Sequence, residues 1–212
     1  MLTGETAMAV TEEQLRANPR PWMTDGSIDF IEKNLRSTDK VMEFGGGWST
    51  LWWAQRAAWT LTVEADYVWA AKLLHEMAAH PELMARWALR FVACEWSNVF
   101  STPKRYWSKN GVGILNKDVA QRMEDAYMQF DFEPDVIVID GSARGRNVIV
   151  ADEYIQKTPQ VRMIVVDNME WLHRYTAGRF GGFTQHDFHE YDIEKIPSHQ
   201  NGKWNTAVWI RN

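Results

Sequence analysis

The sequence predicts an α/β fold: a seven-stranded, mostly parallel sheet with helices on both faces and an antiparallel last strand. Three observations predict it. Four candidate strands are short, continuous apolar runs, which is typical of strands buried on both faces of a sheet. Helical patterns lie between most of them. The last two candidate strands have no helix between them, which predicts an antiparallel pair at the sheet edge.

The N-terminal part, residues 1–38, is expected to form a helical extension within a single domain that spans the whole chain. Thr11, followed by acidic residues, predicts the cap of a first short helix. Thr24 or Asp25 begins a second predicted helix, which extends through Leu35.

The remaining elements follow from hydrophobic periodicity and from glycine and proline punctuation. The segment that follows the third strand is irregular, and we expect it to be a loop beside the site. The predicted elements, in order, are strand Lys40–Phe44, helix Ser49–Ala58, strand Thr60–Glu64, helix Val68–Ala79, strand Leu89–Cys94, irregular segment Glu95–Asn110, helix Asn116–Phe130, strand Asp135–Asp140, helix Asn147–Lys157, strand Arg162–Asp167, and strands Gly182–Phe188 and Lys203–Arg211.

Composition restricts the class of protein. The chain has 212 residues and a net charge of −5, with 45% hydrophobic and 24% charged residues, as soluble globular domains have. No apolar run approaches the roughly 20 residues of a membrane helix, and no secretory signal precedes the fold, so we expect a cytoplasmic protein without a membrane partner. A single cysteine, Cys94, excludes an intrachain disulfide and a cysteine zinc cage. The mild acidity argues against a nucleic-acid partner and favours a small-molecule substrate. These patterns give no prediction of oligomeric state.

A glycine loop follows the first predicted strand. Glycines allow a backbone to approach a ligand closely, and the two hydroxyl residues can cap the next helix. A tight strand-to-helix turn without a ligand explains the same residues, and this alternative stays open. The loop and the acid before it comprise Glu43, Gly45, Gly46, Gly47, Ser49 and Thr50.

Glu64 ends the next strand, about 20 residues after Glu43, where a carboxylate can accept hydrogen bonds from both hydroxyls of a ribose. The loop and this acid together predict an adenosine site, although an acid at a helix N-terminus is an alternative reading of Glu64. A dinucleotide fingerprint would have a third glycine where this chain has Thr50, and Glu43 would repel a pyrophosphate. A nicotinamide-dependent oxidoreductase therefore remains only as an alternative.

From Lys40 to Arg211 the chain resembles the class I S-adenosylmethionine-dependent methyltransferases, which have a Rossmann-like fold. The resemblance depends on the acid-and-glycine motif, on Glu64, on the segment Val136–Gly141 and on the closing strands. It implies that S-adenosyl-L-methionine is the cofactor and that the chain transfers a methyl group. The cofactor-binding residues that it implies are Glu43, Gly45, Gly46, Gly47, Ser49, Thr50, Glu64, Ala65, Glu95, Trp96, Asp140 and Gly141.

A narrower likeness is to the catechol-type O-methyltransferases, in which carboxylate and amide oxygens after the fourth and fifth strands hold Mg²⁺. Asp140, Asp167 and Asn168 match that pattern, and such oxygens are ligands that Mg²⁺ prefers. The likeness implies O-methylation of a small hydroxylated molecule. The chain departs from the catechol-type enzymes in two ways. Its glycine loop is two residues shorter before the serine, and the lysine that serves those enzymes as a base is absent. Arg144 lies nearby instead. A metal-free alternative has Asp140 as a base or as a residue that orients the substrate, and Asp167 and Asn168 as a capping pair.

The candidate catalytic residues are Asp140, Arg144 and His173. Arginine stays protonated, so Arg144 cannot act as a base but can bind an anionic or polyhydroxyl substrate. His173 is a candidate general base, because its ordinary pKa is near 6.5, and a surface or capping histidine is the alternative. Segment Asp140–Ala143 lacks the turn that amino-methylating enzymes of nucleic-acid bases use, which disfavours that chemistry. A non-catalytic adenosyl-ligand-binding protein is a further alternative.

Overall fold

The computed structural model describes residues 18–92, 117–191 and 203–212. The predicted helix at Thr11 and the whole predicted irregular segment, with Glu95 and Trp96 of the expected cofactor site, lie outside these ranges. Within them, none of the helices is long and apolar enough to cross a membrane.

Helices and strands alternate along most of the described chain. The helices are α1 (Asp25–Asn34), α2 (Trp48–Arg56), α3 (Tyr67–Ala78), α4 (Pro81–Met84), α5 (Lys117–Tyr127), α6 (Arg144–Ile155) and α7 (His173–Thr176), with a 3₁₀ turn at Met169–Trp171. The strands are β1 (Lys40–Phe44), β2 (Trp59–Glu64), β3 (Trp87–Phe91), β4 (Val136–Ile139), β5 (Met163–Asp167), β6 (Phe183–Glu190) and β7 (Trp204–Arg211).

The strands form one seven-stranded sheet in the order β3-β2-β1-β4-β5-β7-β6. The five strands from β3 to β5 pair in parallel, whereas β7 pairs antiparallel with both β5 and β6. The predicted fold class is therefore confirmed, including the antiparallel last strand. The chain's final strand is inserted between β5 and β6 and does not form the edge.

Hydrophobic side chains cover both faces of the sheet, and β4 shows how. Successive side chains of the strand point to opposite faces of the sheet, and all four are fully buried because both faces are covered. Ile137 and Ile139 belong to one hydrophobic core, and Val136 and Val138 belong to the other. A continuous apolar strand in the sequence thus indicates a strand between two packed layers, and the acidic residues Asp135 and Asp140 flank β4 on either side.

Two predicted elements start two or more residues away from the observed start. Strand β3 begins two residues earlier than predicted, at Trp87, whose buried indole donates a hydrogen bond from Nε1 to Thr62 Oγ1 at 3.0 Å. Helix α6 begins at Arg144 rather than Asn147, after Ala143 at its N-terminus adopts a left-handed conformation with φ of 53°. Neither a buried tryptophan at a strand start nor a left-handed alanine is marked by the local pattern.

Candidate active site

The loops that follow β1 and β4 touch backbone to backbone at the carboxyl edge of the sheet. Gly45 has a φ of 94°, and its N–H donates to Val63 O at 2.8 Å. A Cβ on Gly45 would lie 2.2 Å from Gly141 Cα, and a Cβ on Gly141 would lie 2.5 Å from Gly45 Cα. Such distances are far below van der Waals contact, so only glycine fits at either position. The predicted glycine loop thus packs directly against the loop after β4.

Glu43 supports this loop from inside the protein. Its carboxylate is fully buried and accepts hydrogen bonds from the hydroxyls of Ser49 at 2.5 Å, Thr50 at 2.6 Å and Thr62 at 2.9 Å. These bonds tie β1 to the first turn of α2 and to β2. Because the three side chains expected at the cofactor, Glu43, Ser49 and Thr50, bind one another, their contact with a cofactor stays a prediction.

Replacing Glu43 by Gln is expected to change how stability depends on pH. Burial raises the pKa of Glu43 from 4.5 to about 7, against the three hydroxyl donors that lower it, so the folded chain holds this proton more tightly than the unfolded chain. The stability contributed by the group is present below pH 4.5 and is lost as the pH rises to about 7, roughly 3 kcal/mol in all. Urea unfolding of both proteins at several pH values measures this. A wild-type minus variant difference that is constant with pH would contradict the prediction.

Glu64 bridges the end of β2 and the glycine loop. One carboxylate oxygen, Oε1, accepts from the N–H groups of Ala65 at 2.6 Å and Asp66 at 2.7 Å, and Oε2 accepts from the Gly46 N–H at 2.7 Å. The side chain is buried, and burial raises its pKa against the pull of these backbone donors. The structure therefore brings together Glu64 and the glycine loop, as predicted for an adenosine site.

A second cluster lies where β4 and β5 end, around the guanidinium of Arg144. Nη2 pairs with Asp140 Oδ1 at 2.9 Å, and Nε donates to Gly141 O at 3.0 Å. Nη1 donates to Asn168 Oδ1 and to Asp167 O at 3.3 Å, and it lies 3.7 Å from Asp167 Oδ2. The expected site residues Asp140, Arg144, Asp167 and Asn168 are thus in contact with one another.

Strand β7 holds the carboxylate of Asp167 in place. Trp204 Nε1 donates to both carboxylate oxygens, at 3.1 and 3.2 Å, and Thr206 Oγ1 donates to Oδ1 at 2.6 Å. Sequence reasoning missed Trp204 and Thr206, since no motif marks them. Only the antiparallel register, which sets Asp167 opposite Thr206, brings them to the site.

The two carboxylates of this cluster influence each other. Burial raises the pKa values of Asp140 and Asp167, each carboxylate opposes ionisation of the other, and Arg144 counteracts the rise. The Asp140 side chain retains 21% exposure, whereas that of Asp167 retains only 3%. Asp140 is therefore the carboxylate of the pair that a ligand can reach.

These residues do not fit a magnesium site. The oxygens that would bind the ion, from Asp140, Asp167 and Asn168, are already bound to the guanidinium of Arg144, a permanent cation. In the part of the chain that the structure describes, no group of three His, Cys, Asp or Glu side chains could hold a metal ion. The predicted Mg²⁺ site is thus not supported. Arg144 directs N–H groups to protein oxygens, so its role as a substrate clamp stays a prediction that the geometry does not strengthen.

His173, the other candidate base, begins helix α7 and is exposed. It takes no part in the hydrogen bonds described above around Arg144. Its catalytic role stays a prediction that the geometry does not strengthen.

Comparison with known proteins identifies the fold. No family model and no curated protein matches the sequence. An rRNA methylase from Streptococcus thermophilus matches with a TM-score of 0.51 and 11% identity, over 88% of this chain and 95% of that one. Sp1610 from Streptococcus pneumoniae, a predicted tRNA (m1A22) methyltransferase solved with S-adenosyl-L-methionine, matches with a TM-score of 0.50 and 11% identity, over 90% and 74% of the two chains. Methyltransferase FkbM from Methylobacillus flagellatus KT matches with a TM-score of 0.52 and 13% identity, over 93% of this chain and 50% of that one.

Two expectations change with these comparisons. The exclusion of nucleic acid in favour of a small-molecule substrate is wrong, because tRNA and rRNA methyltransferases are among the proteins that share this fold. The physical reason is that net charge averages over the whole surface, while a nucleic-acid groove needs only a local patch. The narrower likeness to catechol-type enzymes is not supported. The chain has the fold of the S-adenosylmethionine-dependent methyltransferases.

Proposed function

We propose that this chain is an S-adenosylmethionine-dependent methyltransferase whose cofactor binds over the glycine loop. The observation that carries the proposal is a group of three carboxyl side chains beside the glycine loop. Glu64 raises the pKa of Glu43, both raise the pKa of Asp140, and Arg144 beside them is bound to protein oxygens. Such an acidic site attracts the sulfonium and ammonium groups of S-adenosylmethionine and repels the pyrophosphate of a dinucleotide.

Glu64 is the residue we assign to the ribose. Among the residues that the structure describes, Gly46 alone donates a hydrogen bond to its Oε2, so a lone pair remains for a ribose hydroxyl. Gly46 and Gly47 are only partly buried and have no side chains, so the backbone there can approach the methionine part of the cofactor closely. Ala65 directly follows Glu64 at the end of β2, and we assign it to the adenosine.

Asp140 is the residue we assign to the methyl acceptor. The bound cofactor supplies an electrophilic methyl group on a sulfonium. The acceptor atom forms its bond to that carbon as the carbon–sulfur bond breaks, and the acceptor's proton passes to Asp140 or to solvent. Asp140 is the more exposed carboxylate of its pair, and burial raises its pKa to about 6, which suits a proton acceptor near neutral pH. We propose that the methyl acceptor is a hydroxyl or amino group, and the molecule that contains this group can be a nucleic acid.

Calorimetric titration with S-adenosylhomocysteine, with NADH as the control ligand, tests the cofactor. We expect dissociation constants of about 1–100 μM for S-adenosylhomocysteine and no measurable heat with NADH. Binding of NADH alone would support the oxidoreductase, and binding of neither ligand would contradict the proposal. Methyl transfer from a labelled donor to RNA and metabolite fractions then separates an enzyme from a non-catalytic adenosyl-binding protein.

A further inference from the structure

The guanidinium of Arg144 sits in a shell of oxygen atoms from two loops. The loop after β4 provides a carboxylate oxygen of Asp140 and the carbonyl of Gly141. The loop after β5 provides the amide oxygen of Asn168 and both the carbonyl and a carboxylate oxygen of Asp167. The Arg144 side chain is only 13% exposed, so these protein oxygens replace most of its water.

This set of donors is the kind that a hard divalent cation binds. Two carboxylates, an amide oxygen and backbone carbonyls are ligands of Mg²⁺ and Mn²⁺ in proteins. Without a cation, the two buried carboxyl groups would either take up protons or hold uncompensated charge, and buried uncompensated charge is strongly unfavourable. Arg144 supplies the compensating positive charge covalently.

The backbone on both sides of the cluster is held in an unusual conformation. Ala143 and Asn168 have φ values of 53° and 56°, in the left-handed region that residues with a Cβ rarely adopt. Ala143 directly precedes Arg144, and the side chain of Asn168 binds its guanidinium. One cation thus fixes two strained loops relative to each other, as a bridging metal ion would.

We propose that Arg144 is the resident cation of this site, that the wild-type chain needs no divalent metal there, and that removing Arg144 uncovers a metal site formed by Asp140, Asp167 and Asn168. Arg144 is a positioning residue in this role, because it acts on the acceptor through Asp140. Its effect on the acceptor rests on the proposed function, whereas its place in the cluster and the metal site that its removal uncovers do not depend on methyl transfer.

Titration with Mn²⁺, followed by electron paramagnetic resonance of the free ion, tests the proposal on the full chain. Wild type is expected to bind Mn²⁺ no more tightly than millimolar, and Arg144→Ala is expected to gain at least about 30-fold in affinity. The thermal midpoint of Arg144→Ala should fall in EDTA and rise again with Mn²⁺ or with low concentrations of guanidinium ion. A generally damaged protein would show no such selective rescue.

Arg146→Ala is the matched control. Arg146 lies on the same helix and pairs with the buried carboxylate of Glu124 at 2.7 Å. Because we propose a metal site only at the Arg144 cluster, this variant is expected to gain no Mn²⁺ affinity. Arg144→Lys, which keeps a cation, should also gain none.

Two results would overturn the proposal. One is micromolar Mn²⁺ binding by wild type, which needs no variant and so stands even if Arg144→Ala does not fold. The other is a folded Arg144→Ala protein with the Mn²⁺ affinity of wild type. Since neither measurement uses S-adenosylhomocysteine, failure here is distinct from failure of the proposed function.

Discussion

Replacing Gly45 by alanine is expected to lower the free energy of unfolding by about 3 kcal/mol or more. A left-handed φ of 94° penalises any Cβ at this position. The added methyl group would also lie 2.2 Å from Gly141 Cα and 2.4 Å from Gly141 N. Both are backbone atoms of the neighbouring loop, so they cannot move aside as a flexible side chain would, and overpacking adds to the strain.

Two other glycines separate these contributions. Gly178 also has a left-handed φ, of 71°, but a Cβ there would meet no atom within 4 Å, so Gly178→Ala should cost only about 1 kcal/mol of strain. Gly181 has neither constraint, and Gly181→Ala should be nearly neutral. Urea unfolding followed by tryptophan fluorescence measures all three variants. Equal losses in Gly45→Ala and Gly178→Ala would mean that the loops after β1 and β4 do not touch.

Replacing Glu64 by Gln is expected to weaken S-adenosylhomocysteine binding about 30-fold with the fold retained. Glutamine has one acceptor oxygen in place of two, so it cannot keep the bonds to Ala65, Asp66 and Gly46 and also accept from ribose hydroxyls. Loss of a hydrogen bond to a charged group costs about 1.5–3 kcal/mol, or roughly a tenfold to hundredfold weaker complex. Calorimetry gives the affinity, and circular dichroism verifies the fold.

Asp66→Asn serves as the control for Glu64→Gln. Asp66 is exposed and caps α3 by accepting from the N–H groups of Val68 at 2.7 Å and Trp69 at 3.1 Å. The variant removes an equal charge two residues away without touching the glycine loop, so affinity should change less than about threefold. If Glu64→Gln bound as tightly as wild type, Glu64 would only brace the loop, and its assignment to the ribose would be wrong.

The sequence by itself determined the sheet and the place of the site. Apolar runs such as Val136–Ile139 predict strands buried on both faces, since side chains between two packed layers are mostly apolar. Glu43 is the penultimate residue of β1, Glu64 ends β2 and Asp140 follows β4, and in a parallel arrangement those strand ends share one edge. The glycine loop before α2 was likewise predicted, because glycine itself signals a close backbone approach.

Only the tertiary structure decided how the site residues are used. Sequence spacing placed Asp140, Asp167 and Asn168 together but could not reveal that Arg144 fills the space among them. Nor could it pair Asp167 with Trp204, because that contact depends on β7 entering the sheet beside β5. Hydrophobic periodicity is a local pattern of a few residues, and it indicates only which face of a helix or strand is buried. The partner of a polar group at a strand end is set by distant chain segments, and the charge of a whole sequence does not locate the surface that a substrate meets.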